Sequence, residues 1–438
     1  MKKKLTCVVF SALMAASSLV ACNRNSGPAD DFVPALDTNR ECTLNVIGDY
    51  GNFKALENEF DKFDNYYKNV KLVYTKVSSY EDNLASKLEG DNKINIFFAT
   101  SAMLVYEKFN TVVSHMEDLS DPALNLNLDC IRDGLITPRS DNKVLLAPIF
   151  SRTFGMLVNE DLFQKENLTI PTKWSDLLTT SSSFISKEYT NPIMGFSKSS
   201  SSCLMNSIAY PSFVVDLANA ENPNALTLAN KLDSSAGEYM RNSLTKVKTL
   251  IDNNYVNITE CNKINDNYEQ VILRFFKGDV PMMICTADTV SGTSSRESKS
   301  PEFVANPFKY SFHPIPLTEQ GGYFIDSPTL EFAVNKNCEN LDMTNEFMRF
   351  LLRPQQLNSM ATSKGLMTPV KNPVFDPVYN AFNNFPLART YTPEALGVKD
   401  PLSIQIRNAS FDVGKGNKTI EDAIAYYGQY ATPTINED

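Results

Sequence analysis

Leu44-Asn45-Val46-Ile47-Gly48-Asp49-Tyr50-Gly51-Asn52 is the stretch on which the fold turns. Leu44 to Ile47 reads as a strand, and Gly48 to Asn52 as a loop. Phe53, Leu56, Phe60 and Phe63 follow at helical spacing. Val70 to Val77 is β-rich. Ser79 with Asp82 predicts a capping box, opening a helix with Tyr80, Leu84 and Leu88 on one face. Ile94 to Phe98 is a further strand, ending at Ala99-Thr100-Ser101. Strand, helix, strand, helix, strand in this order argues for a parallel α/β layer. Ligands of such sheets bind beyond the carboxyl ends of the strands. Asp49, Tyr50, Thr100 and Ser101 fall at such ends.

The middle of the chain continues in kind. Val144 to Ile149 and Thr153 to Val158 read as strands, with Pro148 to Arg152 between them. A helical pattern runs through Glu238 to Val256, and another through Tyr268 to Phe276, stopped by Gly278. Val280 to Ile284 is strand-like. Ser291 to Pro301 is polar and reads as a loop. Thr419 and Asp422 predict a second capping box, opening a helix through Tyr430.

The start of the chain is of a different kind. Met1-Lys2-Lys3-Lys4 is basic, and Leu5 to Ala21 is apolar or small with no charge, the pattern of a secretion signal. Leu19-Val20-Ala21-Cys22 resembles the lipobox of bacterial lipoproteins, in which cleavage precedes the cysteine and the cysteine carries lipid. Two or more acyl chains hold a protein stably where one does not. The apolar stretch is short for a membrane span, which needs about 20 residues. Asn23 to Glu41 is polar and reads as a tether.

Removal of Met1 to Ala21 leaves 417 residues, more than one ordinary core accommodates, which predicts two lobes. The formal charge is −10, and the signal takes three lysines with it. So acidic a surface repels phosphate backbones and argues against nucleic-acid binding. The cysteines after Cys22 are Cys42, Cys130, Cys203, Cys261, Cys285 and Cys338, widely spaced and without CxxC. Six cysteines allow fifteen pairings, and buried free thiols are the default reading. His115 and His313 lie in no ligand-like cluster, so neither a metal nor a cofactor is expected.

Several segments together resemble the extracellular solute-binding proteins of bacterial ABC importers, the sugar-binding group that includes maltose-binding protein. Val158-Asn159-Glu160-Asp161-Leu162-Phe163 is similar to that family's YNKDLF turn. Ile170 to Leu178, with Pro171-Thr172-Lys173-Trp174, is similar to its PKTWDEL helix start. Phe276-Lys277-Gly278-Asp279-Val280-Pro281-Met282-Met283 resembles FxxGxxAM. Gly321-Gly322, Glu346 to Leu351 and Gly365 to Pro369 follow in the family's order. The resemblance implies an α/β, two-lobed, periplasmic-binding-protein-like (type II) fold with a hinged cleft between the lobes. The expected boundaries are 1–21 signal, 22–41 tether, 42–148 with 318–338 for lobe one, and 149–317 with 339–438 for lobe two. It implies a lipid-anchored extracytoplasmic receptor, palmitate-bearing at Cys22. Such a receptor captures a small solute, a sugar or short oligosaccharide, and passes it to an ABC permease without chemistry.

The resemblance also places candidate ligand residues. Arg152 lies in the crossing Pro148 to Arg152, where the matching family position often faces the cleft, and it offers five donors. Asp49 accepts from ligand hydroxyls or caps the next helix. Thr100 and Ser101 donate to ligand or cap. Ser199 to Ser202 match a pocket-edge segment or are a loop. Asp288 falls where sugar-binding members often carry a stacking tryptophan. The chain's one tryptophan, Trp174, reads as structural, so Tyr50, Phe150, Tyr210, Tyr323 or Phe324 would have to stack on a sugar. That departure leaves two alternatives: a mono- or small oligosaccharide, or a non-sugar solute whose acidic group Arg152 holds. A receptor feeding a sensor shares the fold. A lipid-anchored enzyme lacks support: there is no HExxH and no GxSxG, and SxxK at Ser140–Lys143 and Ser243–Lys246 stands without partner motifs.

Overall fold

The structure is a computed structural model and describes residues 32–430, apart from 137, 196, 198, 201–202 and 265–267. The signal segment, Cys22 and the start of the tether therefore lie outside the described residues. The architecture below belongs to the unit that begins at Leu36.

Thirteen strands are described: β1 Cys42–Gly48, β2 Val70–Lys76, β3 Ile94–Ala99, β4 Ala147–Arg152, β5 Phe154–Asn159, β6 Ile193–Met194, β7 Met282–Thr286, β8 Tyr310–His313, β9 Pro316–Thr318, β10 Gly321–Gly322, β11 Phe324–Ile325, β12 Ser327–Val334 and β13 Thr390–Tyr391. The first large sheet runs β2-β1-β3-β12-β4, and the second β6-β7-β5-β8. β1 pairs parallel with both β2 and β3, as the opening stretch predicts. β12 enters much later in sequence and lies antiparallel between β3 and β4. Phe98 and Phe332 sit directly opposite and stack at 5.6 Å, closing the seam between β3 and β12. A Cβ on Gly48 would come within 2.5 Å of the Phe98 ring, so only glycine fits at the end of β1.

The boundaries shift from those expected. The first crossing between sheets is at Arg152-Thr153, not 148/149, because β4 stays paired with β12 through Arg152. The second is at Ile325 to Ser327, since the β9–β10 hairpin remains with the second sheet's core through Ile315 and Leu317. The helices Leu341–Leu351 and Pro354–Lys364 were expected in lobe two. They pack instead with the helix Lys54–Phe63 on the first sheet, Phe63 meeting Phe347 at 5.1 Å and Phe350 at 5.4 Å. A third crossing follows, where Met367 O accepts from the Ser151 N–H at 2.9 Å and the Met367 side chain enters a core of the second lobe.

Local expectations fare unevenly. The Thr419–Asp422 capping box is present, and Gly278 ends the helix Tyr268–Phe275 at φ 82°. Ser79 makes no capping bond; it stands in the left-handed region at φ 45°, and the helix Tyr80–Gly90 starts without it. Ser291 to Pro301 is not a plain loop but carries the short helix Ser294–Glu297. The six described cysteines are free thiols: Cys203, Cys261 and Cys285 are buried, and Cys42, Cys130 and Cys338 half-buried.

Arg132 binds the crossings together. Its guanidinium holds Asp326 through Nε at 2.6 Å and Nη2 at 2.8 Å. It also donates to Ser151 Oγ at 2.7 Å and to the carbonyls of Thr368 and Val370 at 2.6 and 3.1 Å. Asp326 is only 2% exposed. Removing one partner of a buried ion pair typically costs about 3–5 kcal/mol, whereas replacing both with apolar groups is often neutral. Arg132→Met should therefore lower stability by about that amount in denaturant unfolding, and Arg132→Met with Asp326→Leu should recover much of it. Equal losses in the single and double variants would contradict the pin.

Candidate functional site

The carboxyl ends of β1 and β3 and the first crossing converge on one face. Arg152 ends β4 with its side chain exposed, and its Nη1 lies 3.6 Å from Asp288 Oδ2. Asp288 opens the helix Ala287–Ser291 that follows β7 in the second lobe. Its Oδ1 accepts from Thr329 Oγ1, on β12 of the first lobe, at 2.8 Å. Asp288, which follows β7 of the second sheet, thus contacts two strands of the first.

Tyr50 closes the other flank. Its ring meets Phe53 and Phe98 edge-on at 5.2 and 5.1 Å, and Lys364 Nζ stands 4.3 Å from its centroid. Burial, then the charges of Asp288 and Asp49, pushes the Tyr50 phenol up, which places both acids in its surroundings. Burial lowers the Lys364 ammonium, and the Asp49 charge opposes that. Asp49 and Thr100 are exposed, and neither gives a helix-capping side-chain bond.

Two interacting carboxyls lie in this region, Glu331 buried and Glu394 half-buried. Glu331, 5% exposed on β12, is pushed up to about 8 by burial and then by Glu394, while the Ser101 backbone N–H holds its charged form. Glu394 lies in the short helix Pro393–Leu396 and is pushed up to about 7 by burial. Its own backbone and Arg152 oppose the shift, Asp326 adds to it, and Ser327 bonds the carboxylate. Glu394 Oε2 is buried and meets no hydrogen-bond donor among the described residues. Tyr210, on the helix Asn206–Ala218, feels both Glu394 and Arg152, and its ring packs on Phe154 at 5.3 Å. Further out, Tyr106 of the first lobe donates to Asp400 of the second at 2.5 Å.

The structure thus brings Asp49, Tyr50, Ser101, Arg152 and Asp288 into one region. It does not bring Tyr323 there: that ring meets Tyr391 at 5.9 Å, with Asp216, Arg389 and Thr318 around it. Ser199 and Ser200 precede the helix Asn206–Ala218, and their carbonyls accept from Ser197 Oγ and the Cys203 N–H, bonds that do not reach the Arg152 cluster. Ser201 and Ser202 lie outside the described residues. Thr329, Glu331, Lys364 and Glu394 escaped the sequence reading. Only Glu331 left a trace, a lone acid inside the apolar run Leu330 to Val334.

Glu331 generates a pH signature. The unfolded chain ionises it near its ordinary 4.5, and the folded protein near about 8. Its contribution to stability is therefore whole below about pH 4.5 and is lost as pH rises toward 8, at up to about 1.4 kcal/mol per unit. Glu331→Gln should flatten the decline in Tm between about pH 5 and 8; parallel profiles for variant and wild type would refute the assignment.

A family model described as bacterial extracellular solute-binding protein matches residues 55–384. No curated protein matches the chain. Among solved structures, the sugar-binding protein MalE of Xanthomonas citri superposes with TM-score 0.66 at 15% identity, over 89% of this chain and 96% of that one. The GacH receptor of Streptomyces glaucescens, solved unliganded and with acarbose, gives 0.68 at 13%, over 89% and 97%. A protein from a study of xylan utilization by Caldanaerobius polysaccharolyticus gives 0.67 at 17%, over 89% and 99%. These likenesses bear on the fold, which is that of the two-lobed binding proteins. No described helix is long and apolar enough to cross a membrane. With the family model spanning most of its length, the chain belongs to the bacterial extracellular solute-binding proteins.

Proposed function

We propose that this protein captures a small carbohydrate between its lobes and presents it to the permease of an ABC importer. The observation that supports the reading is the cluster of Arg152, Asp288, Thr329, Tyr50 and Lys364, drawn from elements of both sheets. Paired charges of this kind suit hydroxyl groups, which donate and accept at once. Solved structures of similar fold include complexes with stachyose and with raffinose, which supports the choice of solute class. A ligand touching both lobes binds the closed form better and shifts the population toward it, and that form is what a permease reads. The family is one of binding proteins, which supports capture without chemistry.

Thermal-shift and calorimetric screens with sugars and oligosaccharides test the reading, since a ligand specific to the folded state raises Tm. Arg152→Ala should weaken the sugar found by about 1–3 kcal/mol, roughly five- to 150-fold in Kd. An unchanged affinity would remove Arg152 from the site.

The N-terminal reading is proposed alongside it: Cys22 carries the lipid and residues 22–41 tether the body outside the membrane. Cys22→Ala should move the protein from the membrane to the soluble fraction. Retention equal to wild type would defeat the anchor.

A further inference from the structure

We infer that Asp288 sets the selectivity of the site, admitting uncharged polyhydroxylated ligands and rejecting anionic ones. The inference rests on the carbohydrate reading above. Arg152 is the exposed cation an acidic ligand would seek, yet Asp288 already stands 3.6 Å from it. Nor is Asp288 free to swing aside, because Thr329 on the opposite lobe holds its second oxygen at 2.8 Å. An incoming carboxylate or phosphate must break that bond, or else share Arg152 with a fixed like charge. Like charges forced together repel, and a built-in repulsive element is a common way to exclude a competitor.

The second cation, Lys364, is held differently, over an aromatic ring and, among the described residues, not in an ion pair. Lys364 sits over the Tyr50 ring and is attracted by Asp49. It covers a ring face on which the apolar face of a sugar would otherwise stack. Arg152 and Lys364 therefore balance Asp288 and Asp49. Glu331 is mostly protonated near neutral pH, while Glu394, pushed up to about 7, is partly ionised there and adds to the repulsion of an anion. A hydroxyl can bridge a cation and a carboxylate, accepting from one and donating to the other. An anion approaching Arg152 finds that cation already paired with Asp288.

The experiment compares the purified protein with Asp288→Asn and Asp288→Ala by calorimetry. The probes are maltose, raffinose and xylobiose on one side, and galacturonate and digalacturonate on the other. Asparagine keeps an acceptor for Thr329 and removes the charge. Wild type should bind a neutral sugar and not the uronates. In both variants the ratio of uronate to neutral affinity should rise at least about tenfold. A wild type that prefers uronates, or a ratio unmoved in folded variants, overturns the inference while leaving carbohydrate capture intact. Binding of neither class by wild type overturns the carbohydrate reading itself and this inference with it. If the Asp288 variants fail to fold, Thr329→Val releases the same carboxylate and should raise the same ratio; no rise there is equally fatal.

Discussion

One guanidinium organises the place where the two lobes meet. Arg132 spends its donors on Asp326, on Ser151 and on two carbonyls of the segment after Gly365. These partners come from the three passages of the chain between the lobes. The fork geometry of arginine suits this, because its planar donors address several acceptors in fixed directions. Thr153 adds a second tie: its hydroxyl accepts from the Ile325 N–H at 3.1 Å and its carbonyl from the Ala287 N–H at 2.9 Å. The crossings thus form one bonded block. Relative motion of the lobes must pass through backbone torsions around it, not through sliding of one crossing on another.

The block also explains where the candidate cluster sits. Arg152 is the last residue before Thr153, Asp288 follows Ala287, and Thr329 lies just beyond the second crossing. Each is only a few residues from a pinned backbone position. Side chains so placed keep their mutual geometry, which a binding site needs. Strand order does the rest. Insertion of β12 between β3 and β4 brings Glu331 opposite Ala99, beside the end of β3. There the Ser101 N–H is available to it.

The sequence made the parallel β1, β2 and β3 legible because their alternation of strand and helix is local. It likewise exposed the Thr419 capping box, whose partners are three residues apart. It misplaced the lobe boundaries because they depend on pairing across the chain: β4 continues to Arg152 only because β12 lies beside it, nearly two hundred residues later. The Ser79 reading failed because a turn at φ 45° overrode the capping pattern. The site divides in the same way. Asp49, Ser101 and Arg152 sit at strand ends that pattern can find, and Asp288 was visible as a departure from the family. Thr329, Lys364 and Glu394 reach the cleft only through the tertiary fold. Arg132 gave no local signal, since its partners lie as far away as Val370.

Ligand affinity in such a protein depends on a competition within it. Asp288 bonds across the cleft to Thr329, and Tyr106 bonds across it to Asp400. Each such bond contributes only about 0.5–1.5 kcal/mol net, and more when one partner is charged. A ligand gains from closure only what its contacts add beyond those the protein makes alone. A hydroxylated ligand adds to the existing pairs without dissolving them, because a hydroxyl accepts from the guanidinium and donates to the carboxylate. A ligand that must break Asp288 from Thr329 loses part of the closure energy as it binds. Selectivity and closure therefore draw on the same carboxylate, and the chemistry of the ligand decides whether the two reinforce or oppose each other.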